Sequence, residues 1–340
     1  MASAYTPETR RDRITNQWVA FAPSRSGRPK HTTAEPDATP GRESPPVEGC
    51  PFCPGHEEML PSIRWELDAA DSPLPWQTRV VPNKYSALSP DRPAQDQTCG
   101  LYQSRASRGR QEVIIETPHH YQSLTDLSVP QVDAVLQTYL ERYRTIRRRD
   151  TDLIPVLFRN HGASAGASIA HPHSQLIAPD FPPPLIQREE DAARARYDEL
   201  GRCPYCVMIE EELTAEARLV RTDEDFVVFV PYAAEVPYEM WILPRTHAPE
   251  FGRLTAPKRE VLARTLRDVL GRLWARLDDP DYNFFVRTAL DYDPDEAPHL
   301  HWSLRIRPRT TVQAGYEQAT GLRINPSIPE RDAAVLRDDT

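Results

Sequence analysis

Four of the five cysteines fall in two Cys-x-x-Cys pairs, Cys50-Pro51-Phe52-Cys53 and Cys203-Pro204-Tyr205-Cys206, and each pair opens the same series of elements. After the first come a strand at Thr78–Pro82, an apolar run Val113–Ile115 ending in Pro118-His119-His120, and a helix from Val129 to about Arg148. A strand at Ile154–Phe158 and the triplet His171-Pro172-His173 complete it. After the second come strands at Phe226–Val230 and Met240–Leu243, the latter ending in Pro244-Arg245-Thr246-His247, and a helix from Ala256 to about Leu277. A strand at Asn283–Arg287 and the triplet His299-Leu300-His301 follow. A series repeated in this order predicts an internal duplication. The expected fold is α+β, with tandem repeats at residues 1–185 and 186–340, each a mostly antiparallel sheet with packed helices. At 340 residues the chain is long enough for both. The first helix rests on Val132, Val135, Leu136, Tyr139, Leu140 and Tyr143, which recur at three and four residues and read as a core face. Gln187–Glu199 reads as a solvated connecting helix, and Arg28–Gly49, Asp91–Gly109 and Asp291–Ala297 read as loops.

Such cysteine pairs in a cytoplasmic chain point to metal or redox chemistry before disulfides. A redox pair should open a helix after a buried strand. Here a polar, Pro-rich segment precedes the first pair and the helix-like Glu189–Arg202 precedes the second, which favours zinc. A tetrahedral set is available in each copy: Cys50, Cys53, His120 and His171 in the first, Cys203, Cys206, His247 and His301 in the second. His299 competes for the last place, and His301 is preferred because it starts an apolar strand as His171 does. One or two structural zinc ions per chain are expected, supporting the fold rather than reacting.

The pentapeptide His171-Pro172-His173-Ser174-Gln175 suits attack on phosphorus. An imidazole is a good nucleophile near neutral pH and, once phosphorylated, a good leaving group. A glutamine amide can donate to a phosphate oxygen as charge builds there. With His171 taken as a ligand, His173 is the expected nucleophile. The formal charge of −9 supplies no global field to recruit nucleic acid or membrane, so any phosphate site is local. The N-terminus lacks an apolar signal core and no stretch is apolar enough to span a bilayer, so a cytoplasmic protein is expected.

The run Arg159 to Ser168, continuing into His171–Gln175, resembles the active-site strand and loop of the galactose-1-phosphate uridylyltransferases, a branch of the histidine-triad superfamily. Arg10–Val19 resembles that family's N-terminal strand, Val236–Trp241 a strand of its second repeat, and Gly315–Glu317 with Thr320–Pro326 its C-terminal segment. The resemblance implies ping-pong exchange of UMP between UDP-glucose and a hexose 1-phosphate such as galactose 1-phosphate, through a uridylyl-His173 held by Gln175. It further implies phosphate contacts from Gly162, Ser168, Arg25 and Arg28, and nucleotide contacts from Asn83, Tyr85 and Asn160. Tyr316 and Glu317 would reach across a homodimer interface toward the sugar. The Gly162–Ser168 loop and Thr320–Pro326 also resemble the ADP-glucose phosphorylase branch, in which inorganic phosphate accepts from the nucleotidylated histidine. A nucleotide-sugar hydrolase and a non-catalytic zinc-stabilised nucleotide-binding protein are the other readings. Aligning His301 with His171 puts Ser303 at the His173 position and Arg305 at the Gln175 position, so one active site per chain is expected, in the first repeat.

Overall fold

The computed structural model describes residues 7–23, 46–69, 76–91, 96–290 and 297–337. Its centre is a ten-stranded sheet built from β3 (Trp65–Leu67), β4 (Thr78–Pro82), β7 (Gly109–Ile115), β8 (Val156–His161), β9 (His173–Pro179), β10 (Leu219–Thr222), β11 (Phe226–Phe229), β12 (Met240–Pro244), β13 (Tyr282–Arg287) and β14 (Ser303–Pro308). The order across the sheet is β10-β11-β12-β14-β13-β8-β9-β7-β4-β3, and every pairing is antiparallel. The order is palindromic in kind: each half runs inward through the same succession, and the halves meet where β8 pairs β13. The duplication read from the cysteine pairs is therefore built into one continuous sheet.

One face is covered by α1 (Val129–Arg149) and α4 (Ala256–Leu277). Ser128 caps α1, its backbone N–H donating 2.8 Å to Gln131, with Pro130 in the first turn. The stripe from Val132 to Tyr143 packs with Leu262, Leu266 and Leu270 of α4 onto Val80, Ile114, Leu176, Val228, Ile242 and Leu304. Each such side chain taken fully from water contributes about 1.5–3 kcal/mol before entropy is counted. The other face carries the two cysteine loops. Cys50, Phe52 and Cys53 pack with Trp76, Val81, Val113 and Ile115, and Cys203, Tyr205 and Ile209 with Val227, Phe229, Trp241 and Leu243.

Four local expectations change. Arg10–Val19 is a hairpin, β1 (Glu8–Arg11) with β2 (Trp18–Phe21), closed by β15 (Arg323–Asn325) running parallel to β2. Asp91–Gly109 contains the hairpin β5 (Asp96–Cys99) and β6 (Tyr102–Arg105), whose residues are all exposed, so no apolar alternation announced it. The second cysteine pair opens a helix, with Cys203 at the start of α3 (Pro204–Ala215), but after α2 (Pro184–Leu200) rather than a buried strand. α2 is not wholly solvated: Glu189 is buried. Among the described residues no helix is long and apolar enough to cross a membrane.

Candidate active site

His173 opens β9, and its antiparallel partners fix its surroundings. Ile115 lies opposite His173 and Val113 opposite Gln175, so the nucleophile candidate and the glutamine share the face that carries the first cysteine loop. Ser174 points the other way and lies in a buried network with α1. The Glu116 carboxylate accepts from Ser174, from the Tyr139 hydroxyl at 2.9 Å and from Arg159 Nε at 3.0 Å, and Arg159 Nη1 donates 2.9 Å to Tyr282. Burial opposes the charge on Arg159, but the adjacent Glu116 keeps its guanidinium above the ordinary value. This paired, hydrogen-bonded charge anchors β8, β9 and α1 behind the site.

The ring of His173 is held by one bond. Its Nδ1 donates 2.8 Å to the backbone oxygen of His171, and a carbonyl can only accept, so Nε2 carries the lone pair. Burial pushes His173 below the ordinary imidazole value, against the raising effects of that bond and of Glu116. The ring therefore has a fixed tautomer with its Nε2 lone pair free to act as a nucleophile. Gln175, half-buried, receives a bond on Oε1 from Gln111 Nε2 at 3.1 Å, leaving its own Nε2 as a donor. Gln111 was not among the sequence candidates, because nothing local marks it. Only the β7–β9 pairing brings it to Gln175.

His171 is turned the opposite way. Its Nε2 donates 2.7 Å to the Thr117 carbonyl, aiming Nδ1 at the sulfurs of Cys50 and Cys53, 3.7 and 3.6 Å away. His120 Nδ1 lies 3.5 Å from Cys53. Burial lowers the pKa of His171 to about 4, which keeps its imidazole neutral, and raises that of Cys53 to about 11. In the second half His301 Nε2 donates 2.9 Å to the Pro244 carbonyl, while its Nδ1 and that of His247 lie 3.7 and 3.5 Å from Cys206. In each of the sets Cys50–Cys53–His120–His171 and Cys203–Cys206–His247–His301, the four ligand atoms lie within 4.8 Å of one another, so each could hold a metal ion. His301 lies just ahead of β14 rather than starting it. His299 stays outside, its ring against Tyr197. The first set is wholly buried, whereas Cys206 is half-buried and His247 exposed.

The remaining candidates divide. Asn160 lies at the end of β8, where its Oδ1 accepts 2.8 Å from Asn283, which also donates 2.8 Å to Ala165. Gly162 has φ +81°, and a Cβ there would sit 1.7 Å from Asp281 Oδ1. That carboxylate takes the Ser164 N–H at 2.6 Å, and the N–H groups of Gly166 and Ala167 bond inside the loop. Two of the loop's amides are thus committed to its own shape and a third to Asp281, rather than to phosphate. Ser168 is exposed. Asn83 Oδ1 accepts the Tyr85 N–H at 2.8 Å, turning the chain so that Tyr85 projects 86% exposed. Glu317 caps the short helix α5 (Gly315–Thr320), accepting from Ala314 at 2.8 Å and Ile324 at 3.2 Å, and Tyr316 on the same turn is exposed. Arg25 and Arg28 lie outside the described residues. A cavity of about 370 Å³ opens beside Arg110, Glu112 and Arg142 and includes none of these residues.

The corresponding place in the second half is filled. Arg305 is buried with its guanidinium 4.0 Å over the Trp241 ring, and Glu189 from α2 lies 3.1 Å from both Arg305 and Arg287. Ser303, at the His173 position, is fully buried.

The family model described as galactose-1-phosphate uridyl transferase, N-terminal domain, matches residues 1–183. An ADP-glucose phosphorylase of Arabidopsis thaliana is 33% identical over 337 residues, covering 98% of this chain and 93% of that relative. A galactose-1-phosphate uridylyltransferase of Thermotoga maritima is 27% identical over 340 residues, covering 97% and 98%. The crystal structure of an Arabidopsis thaliana ADP-glucose phosphorylase with bound ADP-glucose matches with a TM-score of 0.83 and 31% identity, over 98% of this chain and all of that one.

Proposed function

The chain belongs to the galactose-1-phosphate uridyl transferase family of nucleotidyltransferases, and from that premise we propose that it passes a nucleotidyl group through His173. Nε2 attacks the α-phosphorus of a nucleoside diphosphate hexose. The bond from that phosphorus to the bridging oxygen breaks, hexose 1-phosphate leaves, and the nucleotidyl group rests on the ring. An oxygen of the second substrate's phosphate then attacks the same phosphorus and returns the electron pair to Nε2. Gln175 Nε2 donates to the non-bridging oxygens as charge builds, and the Nδ1 bond to His171 stabilises the ring while it carries the group. The observation that carries this reading is the fixed tautomer of His173 beside the Gln175 donor.

The donor we favour is ADP-glucose with inorganic phosphate as acceptor, giving ADP and glucose 1-phosphate. Its support is the 33% identity to the Arabidopsis ADP-glucose phosphorylase against 27% to the Thermotoga uridylyltransferase. The second reading is UMP exchange between UDP-glucose and galactose 1-phosphate, supported by the family description and that second relative. In either case residues 1–185 would carry the chemistry and 186–340 would act as a scaffold, since Arg305 and Glu189 fill the matching place. We read both cysteine–histidine sets as zinc sites. A tetrahedron with Zn–S of about 2.3 Å and Zn–N of about 2.0–2.1 Å has S···N edges of about 3.6 Å, and the edges Cys50–His171, Cys53–His120, Cys53–His171, Cys206–His247 and Cys206–His301 run from 3.5 to 3.7 Å. Bound there, zinc ties the loops to the sheet. A cytoplasmic homodimer is part of the proposal, supported by the exposed Tyr316 on the segment that the family resemblance assigns to a partner.

The test is single-turnover labelling with ADP-glucose or UDP-glucose carrying ³²P at the α-phosphorus, followed by an alkaline quench. Acid-labile label on the wild type and none on His173→Gly is expected, with label chased into ADP by phosphate under the favoured reading and into UDP-galactose by galactose 1-phosphate under the second. Label lost to water without acceptor would make the protein a hydrolase. No label from either donor would leave a nucleotide-binding protein and end the transfer reading.

A further inference from the structure

Gln111 stands between the exposed 83–88 turn and the phosphate donor. Its Oε1 accepts the Ala87 backbone N–H at 3.1 Å, its Nε2 donates to Gln175 Oε1 at 3.1 Å, and its backbone oxygen accepts the Asn83 N–H at 2.9 Å. Side-chain amides can ordinarily be turned end for end at little cost, because oxygen and nitrogen exchange places. This pair cannot. A backbone N–H only donates, so Gln111 must offer it Oε1. That leaves Nε2, which only donates, facing Gln175. Gln175 must then offer Oε1 in return, and its own Nε2 is left over. The polarity of one backbone amide therefore propagates through two side chains.

We propose that Gln111 is a positioning residue that fixes the Gln175 amide with its N–H side toward the reacting phosphate, and that the turn carrying Asn83 and Tyr85 sets this polarity through Ala87. The inference rests on the transfer reading above and adds a link that reading does not contain: the turn assigned by resemblance to the nucleotide is wired to the group assigned to the phosphate. Reversed, Gln175 would turn a carbonyl lone pair on a developing anion, a worse outcome than no side chain at all. The register makes the contact a diagonal one, since Val113 rather than Gln111 lies directly opposite Gln175. Its two long side chains span the offset.

Gln111→Glu tests this directly. A carboxylate can accept from both Ala87 N–H and Gln175 Nε2, which flips the Gln175 amide while keeping size and shape. Gln111→Met removes the polarity without reversing it. Loss of one well-placed donor slows acyl and phosphoryl chemistry about 10²–10³-fold. The expected result is a fall of at least about tenfold in the single-turnover rate of nucleotidyl-His173 formation for Gln111→Glu, larger than for Gln111→Met. The KM for the nucleotide sugar should stay within about threefold and both variants should melt as the wild type does. On a Gln175→Ala background Gln111→Glu should cost nothing further, because there is no amide left to turn. Equal rates for wild type and Gln111→Glu, or the same loss on both backgrounds, would overturn the inference while leaving transfer intact. A wild type that forms no nucleotidyl-histidine would overturn both.

Discussion

Phe52 packs edge-on against His173, with ring centroids 5.3 Å apart and planes at 64°. The same ring meets His171 at 6.0 Å. Phe52 sits between the two cysteines of the first pair, so the cysteine loop is also a wall beside His173. Truncation to Phe52→Ala should cost about 3 kcal/mol of stability through the lost burial and edge contact. It should also slow nucleotidyl transfer about tenfold by loosening the His173 ring, with bound metal retained. Chemical denaturation, single-turnover labelling and elemental analysis read the three effects separately. An unchanged rate would detach the wall from the chemistry.

The two cysteine–histidine sets should release metal in order. The first is buried on every ligand, while the second exposes His247 and half-exposes Cys206. A competing chelator is expected to take the metal of the second set first with little effect on transfer, and that of the first set slowly and with loss of transfer. Cys206→Ser and Cys50→Ser should each remove one equivalent. Simultaneous release of both equivalents, or loss of activity with the fast one, contradicts this.

Glu189 holds the buried Arg305 and the half-buried Arg287, each at 3.1 Å. Removing one partner of a buried charge pair costs about 3–5 kcal/mol because the other charge stays behind. Glu189→Ala should lose stability on that scale, and adding Arg305→Leu should restore part of it. The rate per folded molecule should hold, since the pair lies away from His173. A matched fall in transfer rate would tie the second half to the chemistry.

Burial raises the Asp332 carboxyl from 3.8 to about 6, against bonds from Ser327 and from the Tyr238 N–H at 2.8 Å. Between about pH 4 and 6 the folded state keeps a proton that the unfolded chain has released, so stability falls as pH rises through that window. The loss approaches about 3 kcal/mol above it. Asp332→Asn keeps both contacts in outline and carries no charge. Urea titrations should put it near the wild type at pH 4 and about 1–3 kcal/mol above it at pH 7. A difference that does not change with pH would rule out Asp332 as the titrating group.

Much of this architecture is legible in the sequence where a local rule decides it. α1 starts at Val129 and α4 at Ala256, as read, because Ser128 and Thr255 precede a Pro-bearing first turn and a periodic apolar stripe. The eight cysteine and histidine positions come together because the duplicated order supplied two sets that corroborate each other. What escaped either carries no apolar alternation or depends on distant contacts. The β5–β6 hairpin is polar on both faces, Gln111 gains its meaning only from strand pairing, and Glu189 sits in a charged run that looks solvated until Arg287 and Arg305 approach from another segment.

The β8–β13 seam has a consequence for how the chain can be divided. Tyr282 faces His161 and Asn283 faces Asn160 across it, in the middle of the sheet. A cut in the connection near residue 185 would leave each fragment ending on a bare strand, with a row of unmet amides and carbonyls. Such fragments would be adhesive, reassociating with each other or with their own kind along the same line. The intact molecule avoids that self-stickiness by keeping both edges in one polypeptide, where each always finds its complement.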